Sequence, residues 1–304
     1  MWRRGRWIAG AAVLWALVML APSWLPNGSR HLVSLLDTFR PWLGAGVPVL
    51  GVLAAVRRSA TAGVAVLVPA LVWGALFGQV LTDKRTGGGD VTVVSHNVED
   101  GNRDVRGTAR SLAASGAGLI ALEEVTAASA PLYDKVLAAR YPYHSVQGTV
   151  GLWSTYPLHD VKPVHVMAWG RALRATATTP KGPVAVYVAH LASVRVQVKT
   201  GFATAQRNQS ANRLAAAVRA EPLPRVVVAG DFNGTTGDPA LRPLTAQLRS
   251  AQDEAGNGFG FSWPAAFPVA RIDQILTKGL TPVSSWTLPR TGSDHLPVAA
   301  ALRL

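Results

Sequence analysis

Asp231 and Asn233 are the residues of this chain whose types and spacing most directly suggest chemistry. They follow residues 224–229, a run of β-branched and small apolar side chains that predicts a buried strand. Two positions apart in an extended chain, the carboxylate and the amide share one face, while Gly230 and Gly234 permit a sharp turn and the close approach of a ligand. Because Asp, Asn and Gly after a strand also make an ordinary turn, this stretch requires support from the rest of the sequence.

Polar residues of the same kind stand at or beside the ends of four other predicted strands. In chain order they are Asn97, Glu124, His190 and the pair Asp294 and His295. Hard oxygen ligands in a chain without cysteine favour Mg²⁺, Mn²⁺ or Ca²⁺ over Zn²⁺. If these strand ends converge, the sequence predicts a divalent-cation site beside two histidines that serve phosphate stabilisation and proton transfer.

Asp273 is a carboxylate within an otherwise apolar predicted strand, residues 271–276. A buried carboxylate is costly unless it is paired. The polar turn at residues 292–298, which contains His295, supplies the candidate partner. We therefore expect this turn to lie close to Asp273.

Alternating strands and helices are predicted to position these side chains. Further strands are predicted at residues 91–97, 119–125, 184–190 and 298–302, and segments 150–153, 161–167 and 172–178 predict an antiparallel meander. Helices are predicted at residues 104–114, about 127–139 and 204–219. On the last of these helices we expect Leu214, Ala215 and Val218 to face inward and Arg207, Arg213 and Arg219 to face outward.

The first 85 residues differ in composition from the remainder of the chain. The 304 residues carry a net charge of +13 and no cysteine, and the mean hydropathy of +0.20 is high for a soluble protein. The apolar excess lies in uncharged runs at 7–29, 41–56 and 59–82. At a helical rise of about 1.5 Å per residue, the first and third runs can cross a hydrocarbon core of about 30 Å. The middle run would reach only roughly 24 Å, so a re-entrant or interfacial segment is its alternative.

We therefore expect three transmembrane helices, at about 7–25, 41–57 and 61–81 within residues 1–85, a short flexible linker at 86–90 and one domain at 91–304. A cleaved signal peptide is disfavoured because further apolar runs follow the first one. Cations on the two sides of the membrane number five against four for either two or three spans, so charge does not decide the orientation. The apolar middle run favours three spans, hence a multi-pass protein of the cell membrane with its large domain outside the cell.

Six short polar motifs follow one another along residues 95–295. They are Ser95-His96-Asn97-Val98, Leu122-Glu123-Glu124-Val125, Ala189-His190-Leu191, Gly230-Asp231-Phe232-Asn233, Arg271-Ile272-Asp273 and Ser293-Asp294-His295. In this order they resemble the motifs of the endonuclease/exonuclease/phosphatase superfamily, over residues 91–304. The resemblance implies a DNase I-like α/β fold, a four-layer α/β/β/α sandwich, which is preceded here by the transmembrane helical region.

The resemblance also implies which residues hold a metal ion. Glu124 would be the principal ligand, with Asn97 beside it, and Asp294 would help to hold either the metal or a histidine. The ion would be Mg²⁺, Mn²⁺ or Ca²⁺. Many family members have Gln where this chain has Glu123, which we expect to face solvent. Glu99 is expected to be a surface acid, with a further metal contact as the alternative.

The remaining motif residues acquire catalytic roles through the same resemblance. Asp231 and Asn233 would position the attacking water and a phosphate oxygen. His295, oriented by Asp273, would be the general base or a stabiliser of the transition state. His190 would bond a non-bridging phosphate oxygen, because a phosphoester transition state spreads negative charge over these oxygens.

The expected function is that of a membrane-anchored, divalent-metal-dependent hydrolase of a phosphate mono- or diester. Membrane-tethered members of the superfamily resemble the teicoplanin-resistance type, which implies a cell-envelope lipid phosphate as the substrate. A membrane-tethered extracellular nuclease is the alternative, because the excess of 23 Lys and Arg over 16 Asp and Glu from Thr82 onward suits DNA as well as anionic lipid. A catalytically inactive binding module is a second alternative. The expected partners are the lipid bilayer and the phosphoester substrate, and the sequence indicates no obligate protein partner.

Overall fold

The computed structural model describes residues 5–25, 31–197 and 201–304. The first part is helical and consists of α1 (Arg6–Trp24), α2 (Leu32–Thr38), α3 (Gly46–Val56) and α4 (Ala60–Phe77), with 3₁₀ turns at Arg40–Ala45 and Gly78–Leu81. The second part contains the strands β1 (Val91–Asn97), β2 (Leu119–Glu123), β3 (Tyr143–Gln147), β4 (Val150–Ser154), β5 (Leu158–Pro163), β6 (Ala172–Thr179), β7 (Gly182–Ala189), β8 (Arg195–Gln197), β9 (Gly201–Ala203), β10 (Val226–Asp231), β11 (Arg249–Ser250), β12 (Asp273–Lys278), β13 (Thr281–Thr287) and β14 (Val298–Arg303). Its helices are α5 (Val105–Ala114), α6 (Ala130–Leu137), α7 (Ala205–Arg219), α8 (Arg242–Thr245) and α9 (Ala251–Ala255), with a 3₁₀ turn at Pro239–Leu241.

Two N-terminal helices are long and apolar enough to cross a membrane. They are Arg6–Trp24, with 19 residues, and Ala60–Leu81, with 22 residues. A third crossing results if Leu32–Thr38 and Arg40–Val56, which meet at 68°, form one bent span. Large side chains such as Leu71, which is 73% exposed, point away from the bundle. Outward apolar side chains are typical of helices that face lipid.

The segment 40–56 runs between opposite ends of this helical group. At one end, Arg40 Nε donates to the carbonyl of Met19 at 2.7 Å, and Trp73 Nε1 donates to the carbonyl of Pro41 at 2.9 Å. At the other end, Ser59 lies against Gly5, where a Cβ would come within 2.6 Å of the Ser59 hydroxyl. The middle segment therefore extends along α1 from the level of Met19 to the level of Gly5.

The remainder of the chain forms two six-stranded sheets packed face to face. Their strand orders are β13-β14-β1-β2-β4-β3 and β11-β12-β10-β7-β6-β5. Between the sheets lies a core of apolar side chains that includes Val93, Leu152 and Val186. Helices α5 and α6 cover the outer face of the first sheet, and α7 covers that of the second. The predicted four-layer α/β/β/α sandwich is therefore confirmed.

Burial on both faces explains the apolar runs of the central strands. In β10, Val227 and Ala229 pack between the sheets, whereas Val226 and Val228 pack against the outer helix. Strands buried on both faces carry continuous apolar sequences rather than alternating ones. This is the pattern from which the sequence predicted them.

Strand direction and alternation together bring the polar strand ends to one edge. β1 and β2 run parallel, as do β7 and β10, so their carboxyl ends lie on the same side. In β1, Asn97 continues the row of Val91 and Val93 that faces the space between the sheets. β12 runs antiparallel to β10 and pairs Asp273 with Asp231. The ends therefore converge between the two sheets.

The meander predicted for residues 150–178 was wrong. β4 pairs with β2 and β3 in the first sheet, whereas β5 pairs with β6 in the second. The strand expected at 161–167 lies instead at Leu158–Pro163. The helix expected from about 127 begins only at Ala130, because reciprocal hydrogen bonds between Thr126 and Ser129 form a turn first.

The prediction that Arg207 faces outward on α7 was wrong, because Arg207 is buried and joins the sandwich to the N-terminal helices. Its Nη2 lies 2.6 Å from Asp238 Oδ2, and only 1% of the residue is exposed. The other carboxylate oxygen of Asp238 accepts a hydrogen bond of 2.8 Å from the Ser34 hydroxyl of α2. Thr235 donates a further hydrogen bond to Asp37 of α2. Helix α2 is therefore bound to the sandwich by polar contacts.

Aromatic side chains make further contacts between the N-terminal helices and the sandwich. Trp42 Nε1 donates to the carbonyl of Val269 at 2.8 Å, and its ring stacks on Phe261 with centroids 5.8 Å apart. Phe77 at the end of α4 contacts Phe259 with centroids 5.9 Å apart. These aromatic side chains form an apolar contact between the helical group and the sandwich.

The predicted flexible linker is hydrogen-bonded to the sandwich. The backbone N–H of Thr86 donates to the carbonyl of Val283 at 2.6 Å, and that of Asp90 donates to the carbonyl of Leu302 at 2.7 Å. The Asp90 carboxylate also pairs with Lys181 at 2.8 Å. The glycine-rich composition predicted freedom, but these bonds hold the segment against the sheet.

Candidate active site

Polar side chains from the central strands surround one small space at the edge of the sandwich. Asn97 Nδ2 donates hydrogen bonds to Glu124 Oε1 at 3.1 Å and to Asp231 Oδ2 at 3.0 Å. His190 Nε2 lies 3.7 Å from the same Glu124 oxygen and 3.6 Å from the same Asp231 oxygen. His295 Nε2 reaches within 3.9 Å of Asp231 Oδ2. The structure thus brings five of the candidate residues together, while their individual roles stay predictions.

Glu124 and Asn233 reach this space through left-handed backbone conformations. Their φ angles are 60° and 48°, in a region that costs a non-glycine residue of order 1 kcal/mol. Glu124 Oε2 accepts a hydrogen bond from the backbone N–H of Asp100 at 3.1 Å. The backbone N–H of Asn233 donates to Asp231 Oδ1 at 2.8 Å, and its Nδ2 donates to the carbonyl of Leu191 at 3.1 Å. These bonds offset the cost of the two turns.

Gly230 permits the close approach of β10 to the end of β7. Its φ angle is 151°, and a Cβ at this position would lie 1.8 Å from the carbonyl oxygen of Ala189. No larger residue fits without moving the backbone. The glycine before Asp231 therefore allows this carboxylate to stand beside His190.

His295 and Asp273 form the predicted buried pair. His295 Nδ1 lies 2.9 Å from Asp273 Oδ2, which fixes the ring and leaves Nε2 directed toward Asp231 and Asp294. Burial lowers the pKa of His295, but the charge and hydrogen bond of Asp273, aided by Asp231 and Asp294, outweigh it and raise the pKa to about 10. The imidazolium is suited to stabilising an anionic transition state and to donating a proton.

The site holds more negative charge than its own cations compensate. Burial and the neighbouring Asp273 raise the pKa of Asp231 to about 7, against the opposing influence of His295. Within the parts of the chain that the structure describes, both ring nitrogens of His190 and Oδ1 of Asp273 are buried without a hydrogen-bond partner. Ligand atoms of Asp231, Asp273 and His295 lie within 4.8 Å of one another. Unpaired polar atoms and excess carboxylate charge around one space fit a bound cation and a polar ligand.

The candidate metal ligands differ in how well their present orientation suits an ion. The carboxylate of Glu124 opens into the shared space, whereas Asn97 presents its amide N–H there, and its Oδ1 accepts from the backbone N–H of Glu99 at 3.0 Å. Asn97 would bind an ion through oxygen only after its amide turns over. Asp294 is half-exposed, lies 3.8 Å from His295 Nε2 and accepts a hydrogen bond from Trp263 Nε1 at 3.2 Å. This position supports contact with the histidine, and its metal contact stays a prediction.

Comparison with known protein families identifies the family to which this chain belongs. Residues 94–295 match the sequence profile of the Endonuclease/Exonuclease/phosphatase family. The chain belongs to this family. Its members are phosphoester hydrolases that depend on a divalent metal ion, so the protein is an enzyme of that class. The acidic site with its buried histidine fits this dependence.

Solved structures share the fold of the family domain. A beta toxin from Staphylococcus aureus is 15% identical, with a TM-score of 0.58, and the match covers 69% of this chain and 99% of the toxin. D. rerio TDP2 in complex with a single-strand DNA product is 18% identical, with a TM-score of 0.59 and coverage of 70% and 99%. Sphingomyelinase C from Streptomyces griseocarneus is 20% identical, with a TM-score of 0.54 and coverage of 69% and 98%. At these identities the likeness establishes the fold. No curated protein sequence matches the chain significantly.

The expectation that Glu123 faces solvent was wrong, because the side chain is fully buried. Alternation along β2 places it in the row of Leu119 and Ala121, which faces the space between the sheets. Its Oε1 accepts a hydrogen bond from the Ser95 hydroxyl at 3.2 Å. Burial, followed by repulsion from Asp273 and Asp231, raises the pKa of Glu123 well above its ordinary value. The raised pKa favours the uncharged, protonated carboxyl group, which can donate and accept hydrogen bonds as a Gln side chain does.

Replacement of Glu123 by Gln is expected to stabilise the protein at pH 8 and to have little effect near pH 4. In the folded state Glu123 retains its proton, whereas in the unfolded state it releases the proton above a pKa of about 4.3. The free energy of unfolding of the wild type therefore falls as the pH rises above this value. A Gln side chain does not titrate and avoids this loss. We expect a gain of at least about 1.4 kcal/mol at pH 8, the equivalent of one pKa unit. Thermal unfolding at both pH values in chelator measures it, with the exposed Asp160→Asn as control. Equal pH dependence in the wild type and Glu123→Gln would contradict the assignment.

Arg171 is a site cation that the sequence analysis missed. It is half-buried, its Nη1 lies 3.4 Å from the carbonyl of Leu191, and Glu124 and Asp231 stabilise its charged form against the effect of burial, which lowers the pKa. Its backbone carbonyl accepts from the N–H of His190 at 2.8 Å. Arg171 precedes β6 without a motif, so no signal in the sequence distinguishes it from the many exposed arginines of the chain.

Several candidate site residues line an open cavity of about 370 Å³. We call Asn97, Glu124, Asp231 and His295 the polar floor of this cavity. We call the more apolar lining residues its wall, and these include Trp263, Ile272 and Val194, together with Leu35, Thr38 and Phe39 from the N-terminal region. The cavity at the candidate site therefore includes residues outside the matched family region, 94–295.

Proposed function

We propose that this protein is a membrane-anchored hydrolase that cleaves a phosphate ester of a cell-envelope lipid. The contribution of Leu35, Thr38 and Phe39 to the active-site cavity carries the proposal. A polymer such as DNA would have to pass the anchoring helices, whereas a lipid headgroup enters such a cavity from the bilayer. The likeness to a sphingomyelinase supports a lipid ester, while the likeness to TDP2 with a DNA product supports the alternative nuclease.

A divalent cation, Mg²⁺, Mn²⁺ or Ca²⁺, would be held by Glu124, with Asn97 and Asp294 as further ligands. When bound, the ion supplies positive charge that stabilises phosphoryl oxygens in the transition state. Carboxylate and amide oxygens are the ligands that these hard cations prefer. The carboxylates of Glu124, Asp231 and Asp273 around this space support the presence of a cation.

The chain's own groups can move the protons of the hydrolysis. Asp231, with its pKa near 7, is suited to accept a proton from the attacking water, which Asn233 helps to orient. A bond forms between the water oxygen and phosphorus as the bond to the ester oxygen breaks. The imidazolium of His295 can donate a proton to the departing oxygen, and its second nitrogen is held by Asp273. Neutral His190, whose pKa is lowered by burial and by Arg171 and His295, can donate a hydrogen bond to a phosphoryl oxygen.

Activity is expected to vanish in chelator and to return with Mg²⁺ or Mn²⁺. Full-length protein in phosphatidylcholine vesicles should hydrolyse one of the polyprenyl phosphates, phosphoinositides or sphingomyelin, and Glu124→Ala should lower the rate at least about a hundredfold. The measurement is phosphate or alcohol release for each substrate, with DNA included. Cleavage of DNA without lipid hydrolysis would establish the nuclease instead. Absence of turnover with every substrate and metal would favour a binding module, and full activity of Glu124→Ala in chelator would exclude metal dependence.

We also propose three membrane passes, with the sandwich outside the cell. The segment 40–56 runs along α1 from the level of Met19 to the level of Gly5, and α1 is itself long and apolar enough to cross a membrane. Cations number five against four on the two sides, so charge does not decide the orientation. With a cytoplasmic N-terminus, three crossings would place the sandwich outside the cell.

We expect a reporter protein fused after Leu304 to lie outside the cytoplasm. A reporter that functions only outside the cytoplasm should therefore be active. Alkaline phosphatase reports an external position, and green fluorescent protein reports a cytoplasmic one. Strong phosphatase activity without fluorescence is the expected pair of results. The opposite pair would show that the segment 40–56 does not complete a crossing.

A further inference from the structure

We propose that Leu35 and Phe39, residues of the membrane anchor, bind the hydrocarbon chain of the substrate within the active site. This inference rests on the proposed hydrolysis of a lipid phosphate and adds the specificity element to it. Both side chains line the cavity whose floor holds Glu124, Asp231 and His295. A molecule that fills the cavity therefore touches the anchor and the catalytic residues at once.

Side chains of α2 and of the residue after it make two different kinds of contact. Ser34 and Asp37 are buried against the sandwich, where they bond to Asp238 and Thr235. Leu35 lies on α2 and Phe39 is the residue that follows the helix, and both side chains line the cavity. Phe39 remains 38% exposed although it is a large apolar side chain. The polar face holds the helix in place and leaves an apolar surface toward the cavity.

The position of this apolar surface in the chain identifies its occupant. It lies between α1, which is long and apolar enough to cross a membrane, and the segment Arg40–Val56, which joins α2 at 68°. The apolar wall is therefore adjacent in the chain to two candidate membrane-spanning segments, whereas the floor of the same cavity carries carboxylates and His295. A phosphate ester with a long hydrocarbon chain satisfies both, since its phosphate contacts the floor and its chain extends along the wall toward the bilayer. A small soluble phosphate ester such as glycerol 1-phosphate has no hydrocarbon chain to bury against this wall.

The test compares two diesters that share a leaving group and differ only in chain length. Hexadecyl 4-nitrophenyl phosphate and methyl 4-nitrophenyl phosphate are supplied to the full-length protein in phosphatidylcholine vesicles with Mg²⁺. The wild type is expected to prefer the hexadecyl ester in kcat/KM. Leu35→Ser and Phe39→Ser are each expected to lower this preference about tenfold, mainly through KM. Leu32→Ser is the matched control, because Leu32 belongs to α2 but is 55% exposed and lies outside the cavity. Unchanged preference in both cavity variants would overturn the inference.

A binding measurement on the wild-type protein decides the inference independently of turnover and of variant folding. Hexadecyl phosphate that carries a diazirine on its chain is crosslinked in the vesicles, and the labelled peptides are identified by mass spectrometry. Labelling within residues 32–39 that excess hexadecyl phosphate prevents, but glycerol 1-phosphate does not, is the expected result. Labelling confined to other segments would overturn it. If neither diester is cleaved while this labelling occurs, the proposed hydrolysis fails and the binding site stands.

Discussion

Replacing His295 with alanine is expected to lower kcat about a thousandfold, while substrate binding changes much less. The ring is held by Asp273 at 2.9 Å and its pKa is raised to about 10. In the proposed mechanism it would supply both a positive charge and a proton to the departing ester oxygen. Single acid–base or charge-stabilising groups typically contribute factors of this size. The measurement is steady-state kinetics on the metal-loaded protein. His159→Ala, a change of an exposed histidine on β5, is the control and should retain wild-type kinetics.

Asp273→Asn tests whether the two residues act as a unit. Loss of its charge lowers the pKa of His295, so the alkaline limb of the kcat profile should move to lower pH. A double variant of His295→Ala and Asp273→Asn should be hardly slower than His295→Ala alone, because Asp273 acts through the ring. Losses that multiply in the double variant would show that Asp273 has a separate role.

Arg207→Met is expected to destabilise the protein by about 3–5 kcal/mol, the usual cost of removing one partner from a buried ion pair. The change leaves Asp238 charged and buried, because Arg207 Nη2 is its partner at 2.6 Å. It also removes the hydrogen bond of 3.0 Å from Arg207 Nη1 to the carbonyl of Asn233 in the active-site turn. The unfolding temperature should fall by roughly 6–20 °C, measured in a lipid nanodisc.

Two further variants distinguish the effect of breaking the buried ion pair from the effect of removing any arginine side chain. Arg213→Met on the exposed face of the same helix should change the unfolding free energy by no more than about 0.5 kcal/mol. Combining Arg207→Met with Asp238→Leu should recover much of the lost stability, because no uncompensated charge then remains buried. Equal unfolding temperatures for Arg207→Met and Arg213→Met would show that the buried pair contributes nothing.

The central site was predictable because each strand carries its own signal. The inner row of β10, from Val227 through Ala229 to Asp231, is apolar until its last member. The same holds for β7, where Val188 precedes His190. An abrupt change from apolar to polar at the end of a doubly buried strand is visible in one short stretch of sequence. Parallel pairing then places these ends on one edge.

Other features depend on residues that are distant in the chain. Arg207 was expected to be exposed because its partners, Asp238 and Ser34, come from a separate turn and from the anchor. Glu123 was expected to face solvent because a strand with adjacent acids ordinarily has one wet face, but β2 has none. The edge strands β3 and β13 carry polar, half-exposed residues and a bulge after Pro282, so they lack an apolar pattern. Contacts of this kind are decided by tertiary packing and leave no local signal.

The segment 86–90, which is hydrogen-bonded to the sandwich, affects the kinetics expected of the enzyme. Hydrogen bonds at Thr86 and Asp90 hold the segment 86–90 against the sheet, and the contacts of α2 hold the N-terminal helices at a second place, so rotation of the sandwich relative to these helices is restricted. Under the proposed membrane anchoring, the candidate site would keep one height and one orientation relative to the bilayer. Dilution of the surrounding solution would then not change the encounter of the site with a lipid substrate that diffuses in the same plane. The substrate concentration that governs the rate would be a number of molecules per unit of membrane area.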